Sequence, residues 1–189
     1  MVQDLDNIKK VNLWPTTIIM TEYHNGLQEL TDEIYKLSLV SRTIRKSNYG
    51  GWQSDVTLYE NPVFKPLCQH ISRLCFKIFG KDTTTVHQMW ACINKKHNHN
   101  VIHNHGNYSI SGVYYVTVPK NSGDIVFRDP RPAATATAAR GLFDSGECEQ
   151  FIPYTGLLLL FPSYLDHFVL PSNSDDDRIA ISFDLTLKD

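Results

Sequence analysis

The chain has 189 residues, of which 42% are hydrophobic, with 9 Phe, 9 Tyr and 3 Trp, and it is long enough for one domain with a substantial core. Lysine and arginine number 18 against 20 aspartate and glutamate, and no long basic run is present, which argues against a nucleic-acid partner. The longest apolar run, 157–161, is far shorter than the ~20 residues that cross a bilayer, and the start is acidic, so we expect a cytoplasmic protein.

The first part of the chain, about 1–82, is predicted to be mainly helical. An extended run at 11–19 precedes a 3.6-residue apolar period over 27–40, which predicts an amphipathic helix. A turn-rich run around Gly50-Gly51-Trp52 follows, with no role that the sequence reveals. A second helix is predicted over 63–79 and ends at Gly80, with one side formed by Leu67, Ile71, Leu74, Phe76 and Ile78.

From about residue 83 to 189 the pattern changes to short β-rich runs separated by turn signals such as Asn121-Ser122-Gly123. These runs are 84–94, 108–118, 124–127, 156–161, 166–171 and 178–187. The small-residue segment 133–150 is predicted to be a long surface loop of unassigned role. Two helices followed by six or more strands favour a mainly β (α+β) single domain, in which the helices pack on one sheet of a jelly roll.

Four of the eight histidines lie in the run His-Asn-His-Asn-Val-Ile-His-Asn-His, at positions 97–105. Alternate side chains of an extended segment share a face, so His103 and His105 are placed to share one metal ion. The alternative is a polar loop that is merely rich in histidine. We expect His97 and His99 to face solvent, because they precede the segment that presents His103.

Two more polar residues stand in predicted core strands near the end of the chain. His167, between Asp166 and Phe168, is either a core histidine or a further ligand. Arg178 and Ser182 share one face of the last strand, and an arginine inside a sheet requires an anion. The alternative for Arg178 is an exposed position, paired with one of the aspartates 175–177.

Together these motifs resemble the 2-oxoglutarate- and iron-dependent oxygenases, whose double-stranded β-helix carries HxD or HxE, a distal histidine and a basic residue about ten positions later. Three runs are also similar to a small family of iron oxygenases of marine bacteria and phages, in the right order over about 49–184. They are Gly-Gly-Trp-Gln-Ser, His-Asn-His-Gly-Asn-Tyr-Ser-Ile-Ser-Gly-Val-Tyr-Tyr-Val and Gly-Asp-Ile-Val-Phe-Arg-Asp-Pro-Arg.

The resemblance implies that Fe(II) is held by His103, His105 and His167, with His105 standing where the superfamily usually has a carboxylate. Three neutral imidazoles leave the full +2 charge of the ion, and Asp124 and Asp129 are the nearest alternative oxygen ligands. The resemblance places 2-oxoglutarate on the following residues: Arg178, for the distal carboxylate, with Ser182, Asn94, Ser111 and Tyr115. Trp52 and Trp90 either flank this site or belong to the core.

The activity implied is an O₂-dependent oxidation, a hydroxylation in the first instance, that releases succinate and CO₂. Its substrate is a small molecule or a protein side chain, in the host cytoplasm if a phage encodes the chain. Two other classes stay open: a cupin-like dioxygenase would use the histidines without 2-oxoglutarate, and a non-catalytic β-sandwich would use neither. The sequence leaves the oligomeric state open and allows a homodimer.

Overall fold

The computed structural model describes residues 11–80, 85–135 and 147–186. The α-helices are α1 Leu27–Val40, α2 Lys65–Phe79 and the short α3 Pro132–Thr135, and two 3-10 helices span Leu58–Glu60 and Pro62–Phe64. The strands are β1 Ile19–Glu22, β2 Asn48–Tyr49, β3 Trp52–Gln53, β4 Thr85–Asn94, β5 His99–His103, β6 Ile110–Thr117, β7 Ile125–Arg128, β8 Cys148–Phe151, β9 Leu157–Pro162, β10 His167–Val169 and β11 Arg178–Thr186. None of the helices within the described ranges combines the length and the apolar character needed to cross a membrane.

The strands form two antiparallel sheets that pack face to face. The larger sheet has six strands in the order β1-β9-β6-β11-β4-β3, and the smaller has five in the order β2-β5-β10-β7-β8. The longest ladder joins β11 to β4, from the pair Arg178 and Asn94 to the pair Thr186 and Thr85. The predicted jelly roll is confirmed, with a cavity between the sheets in which side chains of both meet.

The two long helices pack on the outer face of the six-stranded sheet. Ile34 of α1 and Ile71 of α2 are fully buried in one apolar cluster with Ile181 and Phe183 of β11. The buried side of α2 consists of Leu67, Ile71 and Cys75, which are spaced four residues apart.

Two residues predicted for that side of α2 are exposed instead. Phe76 is 55% exposed, because it follows Ile71 by five residues and so points about 140° away around the helix. Ile78 is 39% exposed and lies in the last turn, which ends at Gly80 in the left-handed conformation.

The central strands are buried on both faces. In β11, Ile179, Ile181 and Phe183 face the helices, while Ala180 faces a second apolar cluster between the sheets. The run of four leucines in β9 divides in the same way, with Leu158 and Leu160 outward and Leu157 and Leu159 inward. Burial on both faces explains why this strand is a continuous apolar run rather than an alternating one.

Four strands were not predicted: the two-residue strands β2 and β3, which lie in the run expected to be turn-rich, and the strands β5 and β8. Three of the five residues of β5 are histidine or asparagine, so no apolar alternation marks the strand. Residues 148–150, predicted to lie in the loop 133–150, belong to β8, an exposed strand that forms one edge of the smaller sheet. Residues 136–146 of the same predicted loop lie outside the described residues.

Candidate metal centre

The three histidines implied as ligands converge inside the jelly roll. His103 is the last residue of β5, His167 is the first residue of β10, and the two are paired across the ladder. His105 follows two residues after β5, held by its backbone N–H, which donates to the carbonyl of Ser163 at 2.8 Å. One potential ligand atom of each histidine lies within 4.8 Å of those of the other two.

A β-bulge in β5 shapes the cavity beside His103. His167 pairs with His103, but Val169 pairs with Asn100, so three steps along β5 are matched by two along β10. Asn100 and His103 therefore both line the cavity, although their odd spacing would place them on opposite faces of a regular strand. The alternation of side chains along a regular strand therefore does not indicate that Asn100 lines the cavity.

The hydrogen bonds of the three rings assign their tautomers. Nδ1 of His103 lies 2.8 Å from the carbonyl oxygen of Val101, and Nδ1 of His167 lies 2.9 Å from that of Leu165. Nδ1 of His105 lies 2.8 Å from a carboxylate oxygen of Asp184. Carbonyl and carboxylate oxygens accept, so each Nδ1 donates, and Nε2 is the atom of each ring at which a metal ion would bind.

The environment of these rings fits a metal ion. Nε2 of His105 is buried and has no hydrogen-bond partner in the part of the chain that the structure describes, an arrangement that costs free energy unless a cation is bound. Burial, with a smaller effect of His103, lowers the pKa of His167 to about 3, and burial also lowers the pKa of His103. Both rings are therefore neutral near pH 7, the form in which imidazole binds metals.

Ser47 is a site residue that the sequence did not reveal. Its hydroxyl oxygen lies 3.2 Å from Nε2 of His103 and accepts a hydrogen bond of 3.2 Å from the amide of Asn100. Because Nδ1 of His103 holds the ring proton, the Ser47 hydroxyl donates to Nε2. Ser47 lies just before β2 in a turn-rich segment, and only its position in the folded chain marks it.

Arg178 is buried without an anion. It is 2% exposed, its Cζ atom lies 5.0 Å from the centre of the Tyr115 ring, and its Nε has no hydrogen-bond partner among the described residues. The exposed alternative is wrong, since Asp175 pairs instead with Lys96 at 2.7 Å and Asp177 accepts from Tyr35 at 3.1 Å.

Of the other four residues implied for 2-oxoglutarate, two line the cavity and two do not. Tyr115 and Ser182 line the same cavity as Arg178 and the histidines, and the Tyr115 hydroxyl is buried without a partner among the described residues. Asn94 is buried opposite Arg178 in the ladder, and its amide donates to Asn100 at 3.4 Å. The Ser111 hydroxyl donates to Asp184 at 2.7 Å.

Asp184 is the second site residue that the sequence analysis missed. It is 2% exposed and shares the inner face of β11 with Arg178 and Ser182, at the two-residue spacing of a strand. That spacing is the signal that could have found it.

The remaining sequence candidates lie outside the histidine group. Asp129 pairs with Arg131 at 2.8 Å, and Asp124 accepts a hydrogen bond from Gln150. His97 faces solvent as expected, with a φ of 67°, whereas His99 is half-buried and stacks on Tyr49. Neither belongs to the group of candidate ligands. Trp90 stacks on His105, with ring centres 5.6 Å apart, and forms part of the cavity wall.

Residues 88–184, which include all three histidines, Arg178 and Asp184, match the model of a family described as "Putative 2OG-Fe(II) oxygenase". A prolyl-4-hydroxylase from Pseudomonas putida superposes with a TM-score of 0.69 at 12% identity, over 92% of this chain and 94% of that one. HygX from Streptomyces hygroscopicus, solved with nickel and 2-oxoglutarate bound, gives 0.67 at 12% identity, over 92% and 83%.

The epimerase SnoN from nogalamycin biosynthesis, described as α-ketoglutarate-dependent, gives a TM-score of 0.69 at 12% identity, over 90% of this chain and 78% of that one. At such identities these likenesses show a shared fold. The curated proteins include no match to the sequence.

Proposed function

Because this chain belongs to the 2OG-Fe(II) oxygenase family, we propose that its iron is bound by His103, His105 and His167 and its 2-oxoglutarate by Arg178. The chain is a 2-oxoglutarate- and Fe(II)-dependent oxygenase, and the residues that carry out this activity are the subject of the proposal. When bound, Fe(II) supplies the reaction with O₂ that converts 2-oxoglutarate to succinate and CO₂ and oxidises the substrate.

The observation that carries the proposal is the buried guanidinium of Arg178 in the same cavity as the three histidines. A buried arginine with no carboxylate within ion-pair distance, among the described residues, is unfavourable until an anion enters. The distal carboxylate of 2-oxoglutarate satisfies that requirement through a bidentate pair. A dioxygenase that uses no keto acid would leave this charge uncompensated.

The cavity walls orient the cosubstrate. The Tyr115 ring lies against the guanidinium and so restrains its plane, while the unpartnered Tyr115 hydroxyl is available for a second hydrogen bond to the same carboxylate. Ser182 lines the cavity on the same strand face as Arg178, and offers a further hydroxyl.

Apolar side chains limit the access of water to the ligand set. Phe161 packs edge-on against His167, with ring centres 4.9 Å apart, and Trp90 covers one face of His105. Such walls exclude water from the reacting groups and strengthen the electrostatic contacts between the cavity and the cosubstrate.

The proposal is tested by calorimetry with 2-oxoglutarate, under anaerobic conditions with Fe(II) or with Mn(II) as a redox-silent substitute. The wild type is expected to bind in the micromolar range, about −8 kcal/mol, and Arg178→Ala is expected to show no detectable binding. The matched control is Arg128→Ala, which removes an exposed arginine at the end of β7 and should leave binding unchanged.

The ligand set is tested in parallel by the metal content of untagged protein. His167→Ala should lose the metal, whereas His99→Ala, which alters a histidine outside the group, should retain one equivalent. Full metal content in His167→Ala would remove that residue from the site. Equal binding of 2-oxoglutarate by wild type and Arg178→Ala would remove Arg178.

A further inference from the structure

We propose that Asp184 is a positioning residue that supplies, through His105, the negative charge that three neutral histidines lack. The proposal rests on the proposed function, since it assumes a metal ion at His103, His105 and His167. It concerns a residue that does not reach the metal itself: the carboxylate accepts from Nδ1 of His105, which leaves the buried Nε2 for the ion.

The three rings differ in what they donate to. His103 and His167 donate to the backbone carbonyls of Val101 and Leu165, which carry no net charge. His105 alone among the three donates to a carboxylate, at 2.8 Å. His105 also stands at the position where the family resemblance places a carboxylate ligand, so the missing charge is found one imidazole further from the metal.

Asp184 is buried, and the ring of His105 is its ion-pair candidate among the described residues. It is 2% exposed, its Oδ1 accepts from His105 and from the Ser111 hydroxyl, and neither lysine nor arginine forms an ion pair with it in the described part of the chain. Ser163 lies 2.9 Å from the Ser111 hydroxyl and continues this chain of hydrogen bonds. Burying a carboxylate is costly, and a cation on the far side of the His105 ring lowers that cost.

The imidazole ring of His105, between Asp184 and the proposed metal ion, is held on several sides. Trp90 is stacked nearly parallel to it, at 21°, and the backbone N–H of His105 donates to Ser163 at 2.8 Å. With Nδ1 held by Asp184, Nε2 is the ring nitrogen left for a metal ion shared with the other two histidines. A carboxylate–histidine–metal arrangement of this kind raises the basicity of the ligand and stabilises the bound cation.

The first test is the affinity of the metal-free protein for Mn(II), read from the electron paramagnetic resonance of the free ion. Asp184→Asn keeps the size of the side chain but removes its charge, and it should weaken binding about 10–100-fold. The matched control is Asp166→Asn, because Asp166 precedes His167 in the chain but accepts from the Asn104 amide rather than from a ring. That control should change the affinity less than about 3-fold.

The second test is the midpoint potential of the bound iron, which would not change if Asp184 had a purely structural role. Loss of a nearby negative charge disfavours Fe(III) more than Fe(II), so the potential of Asp184→Asn should shift in the positive direction. Ser172→Ala removes a fully buried hydroxyl that accepts from the backbone N–H of Ser174, so both affinity and potential should stay near the wild-type values. An equal loss in Ser172→Ala and Asp184→Asn would assign the effect to packing and overturn the proposal.

A third measurement on the wild type covers the case in which Asp184→Asn does not fold. In the Zn(II)-loaded protein, the Nδ1 proton of His105 should resonate further downfield than those of His103 and His167, because its acceptor is charged. A His105 proton at or upfield of the other two would contradict the proposal.

Failure of this proposal can be told from failure of the proposed function. Wild type that binds no Mn(II), or His167→Ala that binds it as tightly as wild type, would refute the three-histidine site itself. A different outcome would refute only the role of Asp184. In that outcome the wild type binds Mn(II), His167→Ala does not, and Asp184→Asn binds it as tightly as the wild type.

Discussion

At the scale of single residues, burial of the ligand rings ties the stability of the metal-free protein to pH. The pKa of His167 is lowered to about 3, whereas in the unfolded chain it lies near 6.5. Between these values the unfolded chain binds a proton that the folded protein does not. The contribution to stability is therefore fully present above about pH 6.5 and is lost as the pH falls toward 3, at about 1.4 kcal/mol per pH unit.

His167→Asn should therefore reduce the pH dependence of stability. In urea unfolding with a chelator present, the free energy of unfolding of the wild type should fall more steeply between pH 6 and pH 4.5 than that of the variant, by about 1.4 kcal/mol per unit. Burial also lowers the pKa of His103 and His70, so both proteins keep a residual slope. Identical slopes would show that His167 titrates normally in the folded chain.

A second prediction at the scale of single residues concerns the Ser47 hydroxyl. It donates to Nε2 of His103, the atom that the metal requires, so metal binding must break this hydrogen bond. A bond of about 0.5–1.5 kcal/mol is lost, and Ser47→Ala should therefore bind Mn(II) about 2–10-fold more tightly than the wild type. Ser38→Ala, on the exposed surface of α1, serves as the control. Weaker binding by Ser47→Ala would mean that the hydroxyl contributes a contact to the bound state.

At the scale of the secondary-structure elements, the close contact of β6 with its neighbours depends on Gly112. A Cβ atom at this position would lie against the Phe183 ring and 2.9 Å from the carbonyl oxygen of Leu159. Gly112→Ala should therefore lower the free energy of unfolding by about 1–3 kcal/mol, measured in urea. Gly106→Ala is the matched control, because its Cβ would meet only the Asn104 side chain, at an ordinary 3.5 Å.

The elements with a strong apolar period could be predicted from the sequence, and those built from polar residues could not. The period over 27–40 gave the bounds of α1, and the runs of β4, β6, β9 and β11 were predicted to within about two residues. β5 contributes Asn100 and His103 to the cavity, but its bulge breaks the two-residue alternation. Three histidines and Arg178 could be singled out by type and spacing, whereas Ser47 is brought to them only by the fold.

At the scale of the whole molecule, the six-stranded sheet separates two apolar clusters. Leu67 and Ile71 of α2 belong to the outer cluster, while Val113 and Phe161 belong to the inner one, beside the histidines. Changes in the outer cluster therefore affect stability without contact with the site.

Ile71→Ala should separate stability from metal binding. The fully buried side chain packs in the outer cluster, so its truncation should cost about 2–5 kcal/mol in the free energy of unfolding. The affinity for Mn(II) should stay within about 3-fold of the wild type, since distant sites contribute independently. Leu39→Ala, at an 86% exposed position, should change neither quantity. A parallel loss of affinity in Ile71→Ala would mean that the helices and the site are coupled through the sheet.

The central position of β11 also determines when the binding site can form during synthesis. β11 lies between β4 and β6, and each residue of β11 pairs with residues that stand more than 60 positions earlier in the chain. Such distant pairings make folding slow, on a scale of milliseconds to seconds, and a ribosome adds about 5–20 residues each second. His103 and His105 therefore leave the ribosome several seconds before Arg178 and Asp184 exist, and we expect iron loading to follow translation.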